Sequence, residues 1–232
     1  MARTLDPVAH AERREAFVDV ALRLIETKGY EQMSIQDVLD ELDASRGAFY
    51  HYFGSKVALL EAVVERTVDQ ATAALVPVLD DPGLSAHQKL EGFFGGIARW
   101  KFERSDLMFA VMRAWLSDEN IIVRERLRQL TMQRVTPMLA RIVRQGQAEG
   151  TFTASSADHV AVVLVSLILG AQETLGQLFL ALRGRTVSFE DVVRSTTAYA
   201  EAFERILGLP AGSWPMIDTP TLRFWFDNEE QP

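Results

Sequence analysis

The sequence predicts an all-α protein, and three observations predict it. Apolar residues recur at three- and four-residue spacing along most of the chain, no stretch alternates as a strand would, and no internal repeat is present. About nine helices are expected. Three belong to a small N-terminal unit and the rest to a larger helical domain.

Arg13–Lys28 carries Phe17, Val20, Ala21, Leu24 and Ile25 on one stripe, and Gly29 stands where a helix C-cap glycine belongs. Ser34 opens a second helix as its N-cap, with Asp37 at the third helical position and an apolar face of Ile35, Val38, Leu39 and Leu42. After a break at Asp43–Ala44, Ser45 caps a third, short helix that runs through Phe53 and stops at Gly54. Lys56–Leu79 reads as one long fourth helix leaving this unit. The turn Asp80-Asp81-Pro82-Gly83 follows, then helices at about 85–103, 106–117, 120–149, 156–183 and 188–207. Pro137 removes a backbone hydrogen bond, so a kink or two shorter helices are expected there. Phe224-Trp225-Phe226 is expected as a short extended piece or a segment docked on the core. The division that results is 1–55, 56–210 and a tail at 211–232.

Composition narrows the function. The chain has 232 residues, 48% of them hydrophobic, and no cysteine, which excludes disulfides, thiolate metal sites and cysteine nucleophiles. The N-terminus lacks the apolar core of a signal peptide, and the most apolar run, Val160–Leu169, is too short to cross a bilayer, so a cytoplasmic protein with no membrane partner is expected. Net charge is −8, and even the first 60 residues hold ten carboxylates against seven cations. Non-specific attraction to a polyanion is therefore excluded. Any DNA binding must come from where individual cations sit.

The first three helices supply such a placement. A tight turn between the second and third makes a helix-turn-helix candidate, in which the third helix must anchor inward while showing a polar, close-approaching face to the major groove. In Ser45-Arg46-Gly47-Ala48-Phe49-Tyr50-His51-Tyr52-Phe53, Phe49 and Phe53 are four apart and face inward, leaving Arg46, Gly47, Tyr50 and His51 outside. Arg46 can make a bidentate contact with a guanine edge. Gly47 and Ala48 lack bulk and permit close approach. Ser45 and the free N–H groups of the helix start suit a phosphate, as do the Tyr50 and Tyr52 hydroxyls, the His51 ring N–H and the Lys56 charge. Ser34, at the start of the second helix, suits the opposite side of the groove.

The string from Ser34 through Lys56, with Leu59-Leu60 after it and Lys28-Gly29-Tyr30 before it, resembles the DNA-binding signature of the tetracycline-repressor (TetR) family over about residues 11–60. Beyond that stretch the resemblance is architectural. It implies that Ser45, Arg46, Gly47, Tyr50, His51, Tyr52 and Lys56 lie at a DNA interface, and that the protein is a repressor released by a small effector. Two positions depart from the family pattern: Asp43 stands where many members have Gly, and Tyr52 where many have His. Asp tolerates the left-handed conformation that the turn needs.

In the larger domain, Phe93, Phe94, Ile97 and Trp100 share one helix face, and Met108, Val111, Met112 and Trp115 another. These faces are either ordinary core or, as in resembling proteins, walls of an effector pocket. Gln172 is a candidate to orient a polar group of the ligand. Gly95-Gly96 inside a helix costs about 1 kcal/mol per glycine relative to alanine, to be explained by close packing or by room for a ligand. The segment from Val160 to Leu169 is apolar nearly all round and demands burial on both sides. The resemblance implies a four-helix homodimer interface built from the 156–183 and 188–207 helices, with Leu175, Phe179, Tyr199 and Phe203 as candidates, and two-fold symmetry then suits a palindromic operator.

Rival functions fare worse. None of the four histidines (His10, His51, His87, His159) has Glu three residues before it, as a helical carboxylate metalloprotein would require, and no P-loop, nucleophile elbow or zinc spacing occurs. Neither an enzyme nor a bound metal or cofactor is expected. A ligand carrier would have no use for Ser45–Lys56.

Overall fold

The computed structural model describes residues 7–109, 121–214 and 217–226. Its helices are α1 (Pro7–Lys28), α2 (Ile35–Leu42), α3 (Arg46–Tyr52), α4 (Lys56–Ala73), α5 (Val76–Asp80), α6 (Ala86–Phe102), α7 (Ile121–Glu149), α8 (Ala157–Arg183), α9 (Phe189–Leu207) and α10 (Thr219–Phe226). Residues 105–109 add a further helical turn, and no strand occurs among the described residues. The fold is all-α, as the periodicity predicts.

Packing divides the chain into two units, one of residues 1–71 and 100–130, the other of residues 72–99 and 131–232. In the first unit, α1 buries Phe17, Val18, Val20, Ala21, Leu24 and Ile25, the stripe read from the sequence. The helix begins earlier than that stripe. Pro7 occupies its first position, where a missing N–H costs nothing, and Ala9, Ala11 and Glu12 are good helix formers that need no core to hold them. Gly29 (φ 81°) closes α1, its N–H donating to the Ile25 carbonyl over 3.1 Å. Val38, Leu39, Phe49, Phe53, Leu59, Leu60, Leu107 and Leu130 complete this core. Arg66 of α4 ties back to Asp19 of α1 and sits 3.7 Å from Glu15.

The expected continuous helix from Lys56 to Leu79 is interrupted at residues 74–75, and α5 starts anew at Val76. Pro77 is the cause. Lacking an N–H, it cannot donate to the Ala73 carbonyl, and its ring crowds that same group. It is tolerated at the second position of a new helix instead.

The second unit is knitted by close approaches and buried polar groups. Ser85 caps α6, its Oγ accepting from the Gln88 N–H while Gln88 Oε1 accepts from the Ser85 N–H. Gly92 and Gly96 face α5 so tightly that an added Cβ would lie 2.6 Å from Val78 and 2.8 Å from Leu75, whereas Gly95 meets nothing within 4 Å. Close packing thus explains Gly96 but not Gly95. Lys89, buried, donates to the Leu79 carbonyl over 2.9 Å, and Glu149 at the end of α7 accepts the Ala86 N–H over 3.0 Å. That hydrogen bond and one from Gln145 hold the Glu149 carboxyl below the usual carboxylate range. α7 runs through Pro137 as one helix rather than two. Past its end the chain folds back, so that Phe152 covers Gly146, whose hypothetical Cβ would stand 2.2 Å from the ring.

α8 is, by length and composition, apolar enough to cross a membrane. Within this unit it buries Ala161, Leu164, Val165 and Ala171, while Val162, Val163 and Leu180 remain 43–49% exposed. Burial on both sides, expected from the sequence, is therefore not met inside one chain. α9 opens with a Ser188–Asp191 capping box and packs along α8, where Tyr199 Oη lies 2.9 Å from Thr174 Oγ1. At the far end of α9 the buried Glu204 carboxylate accepts the backbone N–H groups of Gly212 (2.9 Å) and Trp214 (2.8 Å). The Trp214 ring then rests 4.6 Å from Phe94 and 5.4 Å from Phe203.

The C-terminal aromatics form a helix, not an extended piece. Asp218 caps it by accepting the Thr221 N–H over 2.6 Å, and Pro220 sits in its first turn. Arg223 lies 4.5 Å over the Phe189 ring and Phe226 5.9 Å from Phe179.

Candidate nucleic-acid interface

The candidate site is built on α2 and α3 of the first unit. Ser34 and Asp37 form a full capping box: Ser34 Oγ accepts the Asp37 N–H over 3.1 Å, and Asp37 Oδ2 takes both the Ser34 N–H (2.6 Å) and its hydroxyl (2.7 Å). Lys28, 2.8 Å away, shares that carboxylate, and these partners hold Asp37 far below the usual carboxylate range, Lys28 most of all and Ser34 next. The Ser34 hydroxyl is therefore spoken for locally.

The turn that follows depends on Asp43. It adopts φ 46°, ψ 48°, the left-handed conformation its residue type tolerates, and the Ala44 N–H reaches the Leu39 carbonyl over 3.0 Å. The expected departure from Gly is thus absorbed without loss of the corner. Ser45 then caps α3, its Oγ accepting from the Ala48 N–H over 3.2 Å.

α3 is held from beneath by three phenylalanines. Phe49 has no exposed surface, and its ring centroid lies 5.8 Å from Phe17 and 5.9 Å from Phe53. Outward, Ser45, Arg46, Gly47 and His51 are exposed, and Tyr50 is 57% exposed. No ion pair or hydrogen bond engages the Arg46 side chain among the described residues. An exposed cation with nothing to hold and an exposed ring beside it are what a surface awaiting a polyanion presents.

Two of the predicted residues are less open than the rest. Lys56 is half-buried, its Nζ 4.1 Å from the Tyr30 ring centroid and donating to the Glu31 carbonyl over 3.4 Å. Desolvation lowers its pKa, against the pull of Glu31 and Asp37. Tyr52 is half-buried, its ring packed 5.6 Å from Phe17 and 4.7 Å from His10. His10 belongs to the same cluster yet escaped the sequence reading, because it lies outside the motif and its approach to α3 is a tertiary contact.

Gly47 gives a direct test of close approach. An added Cβ would be 3.8 Å from Ser45 Oγ, an ordinary contact, so nothing inside the chain requires glycine. Gly47→Ala should leave thermal stability unchanged or raised by about 1 kcal/mol, from helix propensity alone, while weakening binding to duplex DNA. Melting curves and fluorescence anisotropy check the two halves, and unaltered binding would show that nothing comes close to this position.

Residues 17–63 match the family of bacterial regulatory proteins described as the tetR family. That stretch of the chain carries the family's N-terminal domain. Among curated relatives, the Escherichia coli regulator BetI is 31% identical over 106 residues, 45% of this chain and 52% of its own length, so the chain spans about half of that relative. The structure of E. coli NemR in its reduced form superposes with TM-score 0.54 at 22% identity, covering 86% of this chain and all of the other. That of RolR in complex with resorcinol gives 0.57 at 18% identity, covering 98% of each chain. At those identities the likeness is one of fold. The tetR-family match and the interface described here coincide, since α1 from Phe17 through α3 and the start of α4 all lie inside it.

The other candidate residues scatter. Phe93 and Phe94 pack in the core of the second unit, while Met108 packs against the core of the first, where Trp100 is stacked by Arg104 at 4.8 Å. Met112 and Trp115 lie outside the described residues. Gln172 and Leu175 are half-buried on α8, and Tyr199 is half-buried on α9. Phe179 is nearly covered, with Arg183 4.7 Å from its ring. Phe203 is fully buried beside Phe94 and Trp214, which leaves it no surface to offer a second subunit. Among the described residues, no group of three or more His, Asp or Glu is placed to hold a metal ion.

Proposed function

We propose that this protein is a sequence-specific DNA-binding repressor that acts as a homodimer on a palindromic operator and is released by a small, largely apolar effector. The observation that carries the reading is an outward α3 bearing unengaged Arg46, Gly47, exposed Tyr50 and exposed His51 over a fully buried Phe49. Residues 1–55 read DNA, residues 56–210 sense the effector and dimerise, and residues 211–232 form the tail. In the reader, Arg46 contacts a base edge, while Ser34, Ser45, Tyr50, His51, Tyr52 and Lys56 serve backbone phosphates, Ser34 after its hydroxyl leaves Asp37 and Lys56 after leaving the Tyr30 ring.

Support for a dimer comes from Val162, Val163 and Leu180 of α8, an apolar exposed set on a helix whose other side is core. Leu175, Phe179 and Tyr199 are assigned to the same surface, and a second copy of the α8–α9 pair would cover it. The effector pocket is assigned to the second unit, with Phe93, Phe94 and Gln172 as its lining, in keeping with a small aromatic ligand such as the resorcinol that RolR holds. Signal passes along α4, which begins at Lys56 beside the reader and whose last residues, Thr72 and Ala73, belong to the second unit. Effector and operator then weaken one another's binding by the same factor. The place of action is the cytoplasm, where the DNA is.

Selection of bound fragments from a random duplex pool by the purified full chain tests the proposal. Enriched sequences should contain an inverted repeat with half-site centres about 34–36 Å apart or a multiple of that, in complexes of two chains or multiples of two. A pool that shows no enrichment even at low salt would remove the assignment.

A further inference from the structure

The interface carries a group outside the matched motif. His10 enters from α1, its ring centroid 5.3 Å from that of His51 and 4.7 Å from that of Tyr52, and His51 lies 5.0 Å from Tyr52. Three rings from two elements thus meet beside α3, with His51 exposed and His10 and Tyr52 half-buried.

We propose that His10 and His51 together form a phosphate-binding pair, so that DNA binding by this chain takes up a proton. The proposal rests on the DNA-binding reading and names a contact that reading lacks. Histidine is the side chain whose ordinary charge change falls between pH 5 and 8. Two imidazolium rings at this separation repel each other, and a phosphodiester oxygen shared by them cancels the repulsion, so the anion favours the doubly protonated pair. His51 stands in the last turn of α3, where the helix dipole favours a cation.

Among the described residues, the surrounding charges do not supply that anion. Neither histidine has a carboxylate within ion-pair distance among the described residues. On α1, Arg13 turns to the Leu42 carbonyl (3.4 Å), Arg14 pairs with Glu15 (3.1 Å) and lies over Phe53, and Glu12 is exposed. On α3, Arg46 is exposed, and Lys56 at the start of α4 is engaged with Tyr30. Asp6 precedes His10 by four residues in the sequence and lies outside the described residues. The sign follows. A phosphate held by two charged rings is bound more tightly at acidic than at basic pH.

The test measures binding of the selected duplex and of a random-sequence duplex of equal length, at pH 6 and pH 8 and fixed ionic strength. The wild-type chain should bind both about tenfold more tightly at pH 6 than at pH 8. His10→Gln should cut that ratio to about threefold or less, through weaker binding at pH 6. His10→Lys, with a fixed charge, should bind tightly at both pH values, with the same small ratio. If His10→Gln weakens binding equally at both pH values and lowers the melting temperature, His10 is a packing residue and the proposal fails. An unchanged ratio in both variants also overturns it. A chain that binds no duplex at either pH removes the DNA reading itself, so the two failures are distinguishable.

Discussion

Replacing Phe49 with alanine should destabilise the first unit by about 3–5 kcal/mol, the usual cost of emptying a fully buried aromatic site. The residue has no exposed surface and is the point at which α3 is pinned to Phe17 of α1 and to Phe53 beyond its own end. The edge-to-face contact with Phe17 adds to the area lost, since such pairs contribute about 0.5–1.5 kcal/mol beyond burial. Native-state hydrogen exchange in α1 and α2 reads the effect where it arises, because the two units have separate cores. Phe49→Leu should retain most of the lost stability. A cost below about 1 kcal/mol for the alanine variant, at the level of a surface change, would mean that α3 is not anchored through this ring.

Arg46→Ala should leave stability alone and weaken binding to the selected duplex by about 1–3 kcal/mol, roughly five- to 150-fold, while binding to random DNA falls much less. The asymmetry is what identifies a base contact. An arginine that grips only phosphate loses affinity for every sequence alike and lowers the salt dependence by about one ion. The exposed, unengaged side chain makes the experiment clean, because no intramolecular partner is stranded when the guanidinium goes. Equal losses on the two DNAs would demote Arg46 to a backbone contact and leave specificity to Tyr50 or to DNA shape.

What the sequence makes legible is whatever depends on neighbours along the chain. The Ser34–Asp37 capping box, the left-handed Asp43, the Ser45 cap and the inward Phe49 and Phe53 are all local choices of residue at fixed offsets. The interruption at residues 74–75 was equally legible, since Pro77 forbids the hydrogen bond that would continue α4, but the apolar periodicity across it masks the break. α10 is legible in Asp218 and Pro220 at a helix start, against the extended preference of three consecutive aromatics. Contacts between distant segments left no such trace. Nothing in the order of residues says that Lys56 lies on Tyr30, that Tyr52 leans on His10, or that Phe203 is enclosed by Phe94 and Trp214. Each of these contacts joins residues far apart in the chain.

Glu204 makes the stretch after α9 part of the domain's foundation. Its carboxylate, enclosed by protein, has its charge answered there by two peptide N–H groups that come from residues 212 and 214. A chain cut back to Gly208 would lose both donors and the indole lid together, stranding an anion in an apolar interior, where an uncompensated charge is far more damaging than a missing contact. Deletions meant to trim the C-terminus should therefore stop beyond Trp214. Shorter versions will report on a wounded core, not on the absence of a tail.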